Sequence, residues 1–232
     1  MTTGVDPDAF RRVVEARRSC RAFLPEPLTA VQIEELLRTA QRAPSWCNAQ
    51  PWQVIVTSGE ATDEFRTALL RHVDESERHR PAPDFPKPAR YSGKRLDRRR
   101  ASGWALYEAV GVARGDRAAS ARQARENYAF FGAPHFALVT TPAELGTYGA
   151  VDCGLYVATF LYAAESLGLG AIPQAALANH APFVRDYFDI PSDQLVLCGL
   201  PFGRRDEHHP ANSFRTDRAP LTEIVRWVGD PA

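Results

Sequence analysis

Three short segments of this 232-residue sequence carry side chains that could bind a small anionic or aromatic ligand. The first, residues 17–21 (RRSCR), directly follows a predicted helix. Guanidinium groups and a hydroxyl at such a position suit a phosphate or another planar anion, because arginine presents paired donors. Basic residues near the C-terminal end of a helix are also favoured by the helix dipole alone. The residues themselves leave both interpretations open.

The second segment, residues 44–52 (PSWCNAQPW), joins a predicted helix to a predicted strand. Such a loop, with its small polar groups and two tryptophans, could present amide and hydroxyl groups to a flat heterocycle. The alternative is a rigid turn, and for Trp52 alone we favour a place in the core.

The third segment, residues 214–220 (FRTDRAP), precedes the last predicted helix. Its two arginines, Arg215 and Arg218, could complete an anion site with the first segment. The alternative is an exposed loop in which Arg218 pairs with an acidic residue.

Motifs for other kinds of chemistry are incomplete. A phosphate-binding P-loop needs a lysine after glycine and before Ser or Thr, and neither Lys87 nor Lys94 has that context. Gly168 and Gly170 lack the third glycine of a dinucleotide loop and follow a predicted helix, so a helix end is favoured. There is no G-x-S-x-G sequence for a nucleophilic serine.

Two charged clusters are also set aside. Residues 206–209 (DEHH) could ligate a metal, but adjacent histidines in a polar turn point in different directions, and we predict a solvated loop and no metal site. Residues 98–100 (RRR) could contact nucleic acid. Stacking aromatics are sparse around them, which favours a basic face or an anion clamp on a small ligand.

Composition narrows the class of protein. Twenty-eight basic and 28 acidic side chains cancel, so no overall charge favours nucleic acid or an anionic membrane. No apolar run is long enough to span a membrane, and the N-terminus has no apolar signal core. Four widely spaced cysteines fit reduced thiols. We therefore expect a cytoplasmic protein with no membrane or nucleic-acid partner.

Local signals predict alternating helices and strands. Asp6 and Pro7 begin the first helix, and Thr29 with Gln32 forms a capping box for a second helix that ends at Pro44 and Ser45. The remaining predicted helices span residues 60–80, 150–167, 181–188 and 220–228. The predicted strands span residues 52–57, 136–141, 169–174 and 194–200.

Between the halves lies an unusual middle region at about residues 81–125. It begins with four prolines in a short stretch, and residues 87–125 contain eleven basic and three acidic side chains, a net charge of +8. Few large apolar residues occur there. We predict an insert or lid within a single domain that spans residues 1–232.

Taken together, these segments resemble the FMN-dependent nitroreductase family. RRSCRAF is similar to that family's phosphate-binding arginine segment, and APSWCNAQPW is similar to its A-P-S-x-x-N-x-Q-P-W loop. GLGAIPQAALA, LVLCGLPFGRRD and RTDRAPLTEIV resemble its later segments in the same order. The resemblance covers about residues 11–57 and 123–228. The middle region resembles the branch that reduces nitrobenzoate-type and related nitroaromatic compounds.

The resemblance implies a role for each segment. The FMN phosphate, the ribityl chain and the N1/O2 edge of the flavin would be held by Arg17, Arg18, Ser19 and Arg21. The isoalloxazine would be contacted by a loop of the partner subunit, through Pro44, Ser45, Trp46 and Asn48. The segment near flavin N5 would be Pro173, Gln174, Ala175 and Ala176. Arg215 and Arg218 would close on the phosphate, and Asn127 lies where a further flavin contact could come from.

Two of these matches depart from the family pattern. The family often has an acidic residue and a glycine where this chain has Ala175 and Ala176, which leaves a backbone donor but removes a side-chain role. The family also often uses a lysine in place of Arg215 or Arg218.

Positive charge near flavin N1 would favour the anionic reduced flavin and so tune its potential.

The implied fold is α+β, a three-layer α/β/α sandwich with a mixed, mainly antiparallel sheet in an intertwined homodimer. The implied reaction moves hydride from NAD(P)H through FMN to a nitroaromatic or quinone-like acceptor in ping-pong fashion, with no side-chain nucleophile. We call Arg95, Arg98, Arg99 and Arg100 the insert arginines. We expect them to lie over the site and attract a carboxylated acceptor or the NADPH phosphate.

Other functions stay open at this level. The same fold serves flavin reduction, reductive dehalogenation and the breakdown of reduced flavin, and an acceptor panel with NADH and NADPH would separate them. A flavin-binding protein without turnover would hold FMN that NAD(P)H cannot reduce. A nucleic-acid-binding module at residues 87–125 would bind in a salt-sensitive way, which overall neutrality disfavours.

Overall fold

A four-stranded antiparallel sheet forms the centre of the fold. The computed structural model describes residues 6–75 and 81–229. The strands are β1 (Gln53–Ser58), β2 (His135–Pro142), β3 (Gly170–Ala171) and β4 (Gln194–Gly203), in the order β1-β2-β4-β3. The helices are α1 (Pro7–Ala16), α2 (Ala30–Ala40), α3 (Glu60–Glu75), α4 (Gly93–Ala109), α5 (Arg117–Arg125), α6 (Gly146–Ser166), α7 (Ala181–Tyr187) and α8 (Leu221–Ile224).

The central strand β2 is buried on both faces. Ala137 and Val139 point into one core, which contains residues of α2 and α6. Phe136 and Leu138 point into a second core, which contains residues of α3 and α7. Because successive side chains of a strand alternate between faces, one apolar strand can organise both cores. The expected α+β sandwich of three layers is therefore confirmed.

The sheet contains one irregularity and one parallel contact. The β2–β4 register shifts between Val139 and Thr140, which face Cys198 and Val196. This bulge leaves Leu197 as the extra residue and lets Val196 and Cys198 enter opposite cores. All pairs among the four strands are antiparallel, and an isolated parallel bridge joins Ser19 to Ala171 of β3, so the predicted mainly antiparallel character of the sheet is confirmed.

The N-terminal arginine segment lies between β3 and the residues that follow β4. The Cys20 N–H donates to the Ala171 carbonyl at 3.2 Å, and the Asp206 N–H donates to the Ala22 carbonyl at 3.1 Å. Gly170 permits this approach, because a Cβ there would lie only 2.7 Å from Sγ of Cys20. The two ends of the chain are thereby brought together beside the sheet.

Several predicted element bounds differ from the structure. The second helix ends at Ala40, several residues before the predicted stop at Pro44. The predicted helix over residues 60–80 is present as far as Glu75, and residues 76–80 lie outside the described residues. The predicted strand over residues 169–174 is paired only at Gly170–Ala171, with a further bridge at Gln174, since Pro173 has no N–H to donate.

The final helix is also shorter than predicted. It spans only Leu221–Ile224, against the predicted residues 220–228. All of residues 221–229 are exposed, so no apolar face is buried to support further turns.

The middle region forms two helices, α4 and α5, and neither has a buried residue. The Glu223 carboxylate forms ion pairs with Lys94 at 3.2 Å and with Arg98 at 2.7 Å, and these ion pairs join α4 to the C-terminal segment. Upstream, the Asp84 carboxylate accepts from Arg185 and from the Val196 N–H, both at 2.6 Å. The region is thus joined to the rest of the domain at Asp84 and through the first turns of α4. Its action as a lid stays a prediction.

Within the described parts of the chain, no helix has the length and apolar character required to cross a membrane.

Candidate functional site

Arginines from both ends of the chain surround one cavity of about 540 Å³. Six of the residues singled out in the sequence line it: Arg17, Arg18, Ser19, Arg21, Arg215 and Arg218. Tyr162 of α6, Ser102 of α4 and Phe214 add to the walls. The first and third segments identified in the sequence therefore form a single site, although about 190 residues separate them.

Asn212 fastens these two segments to each other. Its Oδ1 accepts from the Arg21 N–H at 2.7 Å, and its Nδ2 donates to the carbonyls of Ala22 at 2.9 Å and Asp206 at 2.8 Å. The Asn212 residue is 3% exposed, so these bonds are protected from water. Sequence reasoning missed this residue, because a single asparagine in a polar loop carries no local signal of such contacts.

Positive charge accumulates around the cavity. Burial lowers the pKa of Arg21. Burial, followed by repulsion from Arg18 and Arg205, lowers the pKa of Arg215, although Glu207 and Glu165 partly offset this. A bound anion would relieve the repulsion.

Donors are still available to such an anion. Nε of Arg18 is buried and has no hydrogen-bond partner among residues 6–75 and 81–229. Arg17 forms no hydrogen bond or ion pair of its side chain within the described residues, whereas Arg215 donates to the carbonyls of Asn212 and Phe214. The composition of the cavity thus fits a ligand that bears a phosphate.

Local contacts shape the arginines of this cavity. The Arg21 guanidinium lies 5.6 Å from the centre of the Phe214 ring. Arg218 donates to the carbonyls of Thr216 at 3.0 Å and Asp217 at 3.1 Å, and to Oγ1 of Thr216. Within the described residues it forms no ion pair with an acid, so the alternative that Arg218 pairs with a carboxylate does not hold there.

The loop at residues 44–50 lies elsewhere on the same chain. The Trp46 N–H donates to the carboxylate oxygens of Asp152 at 3.1 and 3.2 Å, and its ring contacts Tyr148 with centres 4.1 Å apart. Pro44, Trp46 and Asn48 are exposed, and Ser45 accepts from the Gln50 N–H at 2.9 Å. This loop does not line the arginine cavity of its own chain.

Trp52, at the end of this loop, occupies the core. It is 6% exposed, stacks on Tyr156 with ring centres 5.1 Å apart, and donates through Nε1 to Gln41 at 2.9 Å. The preference for a core position of this residue is confirmed.

The segment at residues 173–176 does not line the cavity either. Gln174 is 2% exposed and forms a backbone bridge with Gly199. Its Nε2 donates to the Asn127 carbonyl at 2.8 Å, while its buried Oε1 has no partner among the described residues. Pro173 and Ala175 are exposed, and Ala176 is half-buried. Gln174 therefore links this segment to the end of α5 and to Asn127.

A left-handed turn follows Asn127. Phe130 and Phe131 have φ values of 57° and 51°, an uncommon conformation for aromatic residues. Arg66 holds the turn on both sides, because it donates to the Ala129 carbonyl at 3.0 Å and the Ala133 carbonyl at 2.6 Å. Phe131 also lines a second cavity of about 590 Å³, which shares Arg21 with the first. No local sequence pattern predicts this turn.

The two adjacent histidines close a turn. The Asp206 carboxylate accepts from the N–H groups of His208 at 3.0 Å and His209 at 3.2 Å, and Nδ1 of His209 accepts from the Ala211 N–H. Across residues 6–75 and 81–229, no group of three or more acidic, histidine or cysteine residues is arranged to hold a metal ion.

Comparison with known proteins identifies the family. The profile of the Nitroreductase family matches residues 14–204. The chain belongs to this family. Two relatives within the nitroreductase family match nearly the whole chain. A 4-nitrobenzoate reductase from Pseudomonas putida is 32% identical over 223 residues, which cover 96% of each protein. Nitroreductase NfnB from Mycolicibacterium smegmatis is 34% identical over 221 residues, 94% of this chain and 92% of that protein.

A solved nitroreductase has the same fold. The crystal structure of the FMN-dependent nitroreductase NfnB from Mycobacterium smegmatis in complex with NADPH superposes with a TM-score of 0.89 and 32% identity. The match covers 96% of this chain and 99% of the other. The resemblance found in the sequence segments and the α+β fold that it implied are both confirmed, while the homodimer stays a prediction.

Proposed function

We propose that this nitroreductase-family chain is an FMN-dependent enzyme that transfers hydride from NAD(P)H to a nitroaromatic acceptor. The observation that supports this most directly is the convergence of five arginines and Ser19 on one cavity. The named relatives add weight, since they are called a 4-nitrobenzoate reductase and an FMN-dependent nitroreductase bound to NADPH.

The cavity residues fit FMN. Arg18 retains a buried donor with no partner in the described residues, which a phosphate oxygen would satisfy. Arg17, Arg18, Ser19 and Arg21 would hold the phosphate, the ribityl chain and the N1/O2 edge, while Arg215 and Arg218 close on the phosphate. When bound, FMN supplies a carrier that accepts a hydride at N5 and passes it to the acceptor.

The protein contributes charge and orientation. Arg21 keeps a positive charge against the ligand, and Asn212 fixes its backbone. Gln174 holds the segment of Pro173, Ala175 and Ala176 beside Asn127, and a backbone N–H of this segment would donate near flavin N5. Because the hydride chemistry belongs to the cofactor, no side-chain nucleophile is needed, which agrees with the lack of a serine motif.

A homodimer completes the site. The loop of Pro44, Ser45, Trp46 and Asn48 is exposed and lies apart from its own chain's cavity, so it is free to reach the cavity of a partner. Tyr148, Val151 and Leu155 of α6 are 57%, 52% and 40% exposed at helical spacing on one face. A second copy would cover this apolar face. Light scattering should give twice the chain mass of 25.7 kDa, and a monomer would contradict the shared site.

The acceptor proposal includes the insert arginines. Arg98 pairs with Glu223 and Arg99 lies 5.3 Å from the Tyr91 ring centre, whereas the described residues offer no partner to Arg95 and Arg100. The α4 helix that bears them reaches the cavity through Ser102. These exposed charges would attract a carboxylated acceptor or the NADPH phosphate.

A visible spectrum tests the proposal. The purified chain should be yellow, bleach on anaerobic addition of NADPH or NADH, and regain its colour on addition of 4-nitrobenzoate. Initial rates should give parallel double-reciprocal lines, as expected of ping-pong kinetics, and intersecting lines would contradict that mechanism. A flavin that neither nicotinamide reduces would support a binding protein without turnover. A colourless chain that takes up no added FMN would refute the proposal.

A further inference from the structure

Four charged residues of alternating sign lead from α6 to the arginine cavity. Arg205 donates to Glu165 at 2.5 Å and to Glu207 at 3.1 Å. The other carboxylate oxygen of Glu207 accepts from Nη2 of Arg18. The order is therefore Glu165, Arg205, Glu207 and Arg18, and we call this set the charge chain.

The inner end of the charge chain is rigid. The side chains of Arg205 and Glu165 are only 6% and 12% exposed. Arg205 also donates to the Leu169 carbonyl at 3.2 Å, and its backbone forms a bridge with Phe23. An ion pair that is buried and further hydrogen-bonded holds its geometry well. Arg205 is thus a fixed anchor beside the N-terminal arginine segment.

Glu207 contacts Arg18 without lining the cavity. Arg18 is among the residues around the cavity, and Glu207 is not among the described residues that line it. Glu207 binds the guanidinium through Nη2 only, which leaves the buried Nε of Arg18 without a partner in the described chain. The carboxylate therefore fixes the guanidinium while leaving it donors for a ligand.

From this geometry we infer that Arg205 and Glu207 are positioning residues for phosphate recognition and act through Arg18. The inference rests on the proposed function, since the phosphate is that of FMN. Arginine is required at position 205 because its forked guanidinium reaches Glu165 and Glu207 at once. Lysine would keep the charge but presents a single nitrogen. The planar geometry of the Arg205 guanidinium, and not its charge alone, fixes Glu207 and, through Glu207, the position of Arg18.

If Glu207 instead competed with the phosphate for Arg18, its removal would have the opposite effect on FMN binding. A carboxylate that merely competes with the phosphate for Arg18 would weaken FMN binding, so its removal would strengthen that binding. A carboxylate that positions Arg18 strengthens FMN binding, so its removal would weaken it. Glu207 is 58% exposed, which makes its substitution safe for folding.

Flavin affinities of the full-length, flavin-free chain test the inference. Dissociation constants are measured by fluorescence for FMN and for riboflavin, which lacks the phosphate, and the FMN preference is their ratio. Glu207→Ala and Arg205→Lys should each reduce this preference about tenfold, with riboflavin affinity unchanged. Glu207→Gln, which keeps an acceptor, should reduce it less. Arg204→Lys is the matched control at an exposed neighbour and should leave it unchanged.

Three other outcomes of these affinity measurements would each overturn the inference. A preference that is unchanged or increased in Glu207→Ala overturns the inference while wild-type FMN binding leaves the proposed function intact. An equal loss for both flavins in Glu207→Ala shows general loosening of the site and also overturns it. A wild-type chain that binds no FMN overturns the proposed function and the inference together.

Discussion

Replacement of Gly170 by alanine should move the arginine segment. A Cβ at this position would lie 2.7 Å from Sγ and 2.9 Å from Cβ of Cys20, and 3.3 Å from Cβ of Arg205. Carbon atoms in contact normally lie about 3.5–4.0 Å apart, so Cys20 must shift by about 1 Å. Cys20 cannot shift easily, because it is fully buried and its N–H and Sγ–H donate to the carbonyls of Ala171 and Ala22.

The expected cost follows from these contacts. Overpacking of this kind typically destabilises a protein by about 1–3 kcal/mol, and each kcal/mol lowers Tm by about 2–4 °C in a chain of this size. The same shift displaces Arg18, Ser19 and Arg21 from Arg215, so FMN affinity should fall at least about tenfold, as 1 Å errors in binding geometry are costly.

Thermal unfolding of the flavin-free chain and FMN titration measure the two effects. Gly103→Ala is the matched control, since Gly103 lies within α4 and a Cβ there would meet no atom within 4 Å. It should be neutral, or raise stability by up to about 1 kcal/mol through helix propensity, and leave FMN affinity unchanged. A Gly170→Ala variant with wild-type Tm and wild-type FMN affinity would show that the close approach of Cys20 to Gly170 does not hold the arginine segment in place.

Three further predictions use other parts of the molecule. Burial lowers the pKa of His135 from 6.5, and the Nε2 atom of the neutral ring accepts from the Leu28 N–H at 2.7 Å. The neutral ring therefore stabilises the folded state above about pH 6.5, and this stabilisation is lost as the pH falls towards the folded-state pKa. The Tm should therefore fall between pH 7.5 and 5.5, and less steeply in His135→Gln; parallel profiles would contradict the assignment. Burial raises the pKa of Cys20 and Cys153 to about 11 and of Cys198 to about 12. Iodoacetamide at pH 8 should therefore modify no thiol of the native protein other than exposed Cys47, whereas all four thiols should react after unfolding. Rapid loss of a second thiol in the native protein would contradict the burial of these cysteines. Replacement of all four insert arginines by glutamine should raise KM for 4-nitrobenzoate several-fold more than KM for nitrobenzene, and equal effects on the two acceptors would remove that role.

Features set by neighbours in sequence could be predicted well. The Asp6 side chain accepts from the Asp8 N–H at 2.9 Å, and Thr29 and Gln32 form both bonds of the capping box. The strand predicted over residues 136–141 is present as His135–Pro142. Each depends on residue types within a few positions or on an uninterrupted apolar run, which the chain displays directly.

Features set by distant contacts could not be predicted. The Arg21–Asn212 hydrogen bond joins residues 191 positions apart, and the Arg18–Glu207 pair joins residues 189 positions apart. Exposed α8 stops at Ile224, although its sequence suggested a longer helix, because none of its residues is buried to support further turns. Local propensity does not report which segments meet or which remain without a packing partner.

The candidate site shows the same division. The arginine segments and a possible common anion site could be chosen by residue type, and their role in FMN binding came from resemblance to a family, but only the structure brings them around one cavity. Arg66, which holds the left-handed turn at Phe130, and Arg205, which anchors Glu207, were missed because arginine is frequent in this sequence and most of its copies are exposed.

In the proposed function, arginines from both chain ends bind the phosphate of FMN. Calorimetric titration of the flavin-free wild-type chain with FMN and with riboflavin tests it most directly. We expect one FMN per chain, bound on the order of a hundredfold more tightly than riboflavin, because several guanidiniums donate to the phosphate. Equal affinity for the two flavins, or no binding of FMN, would contradict it.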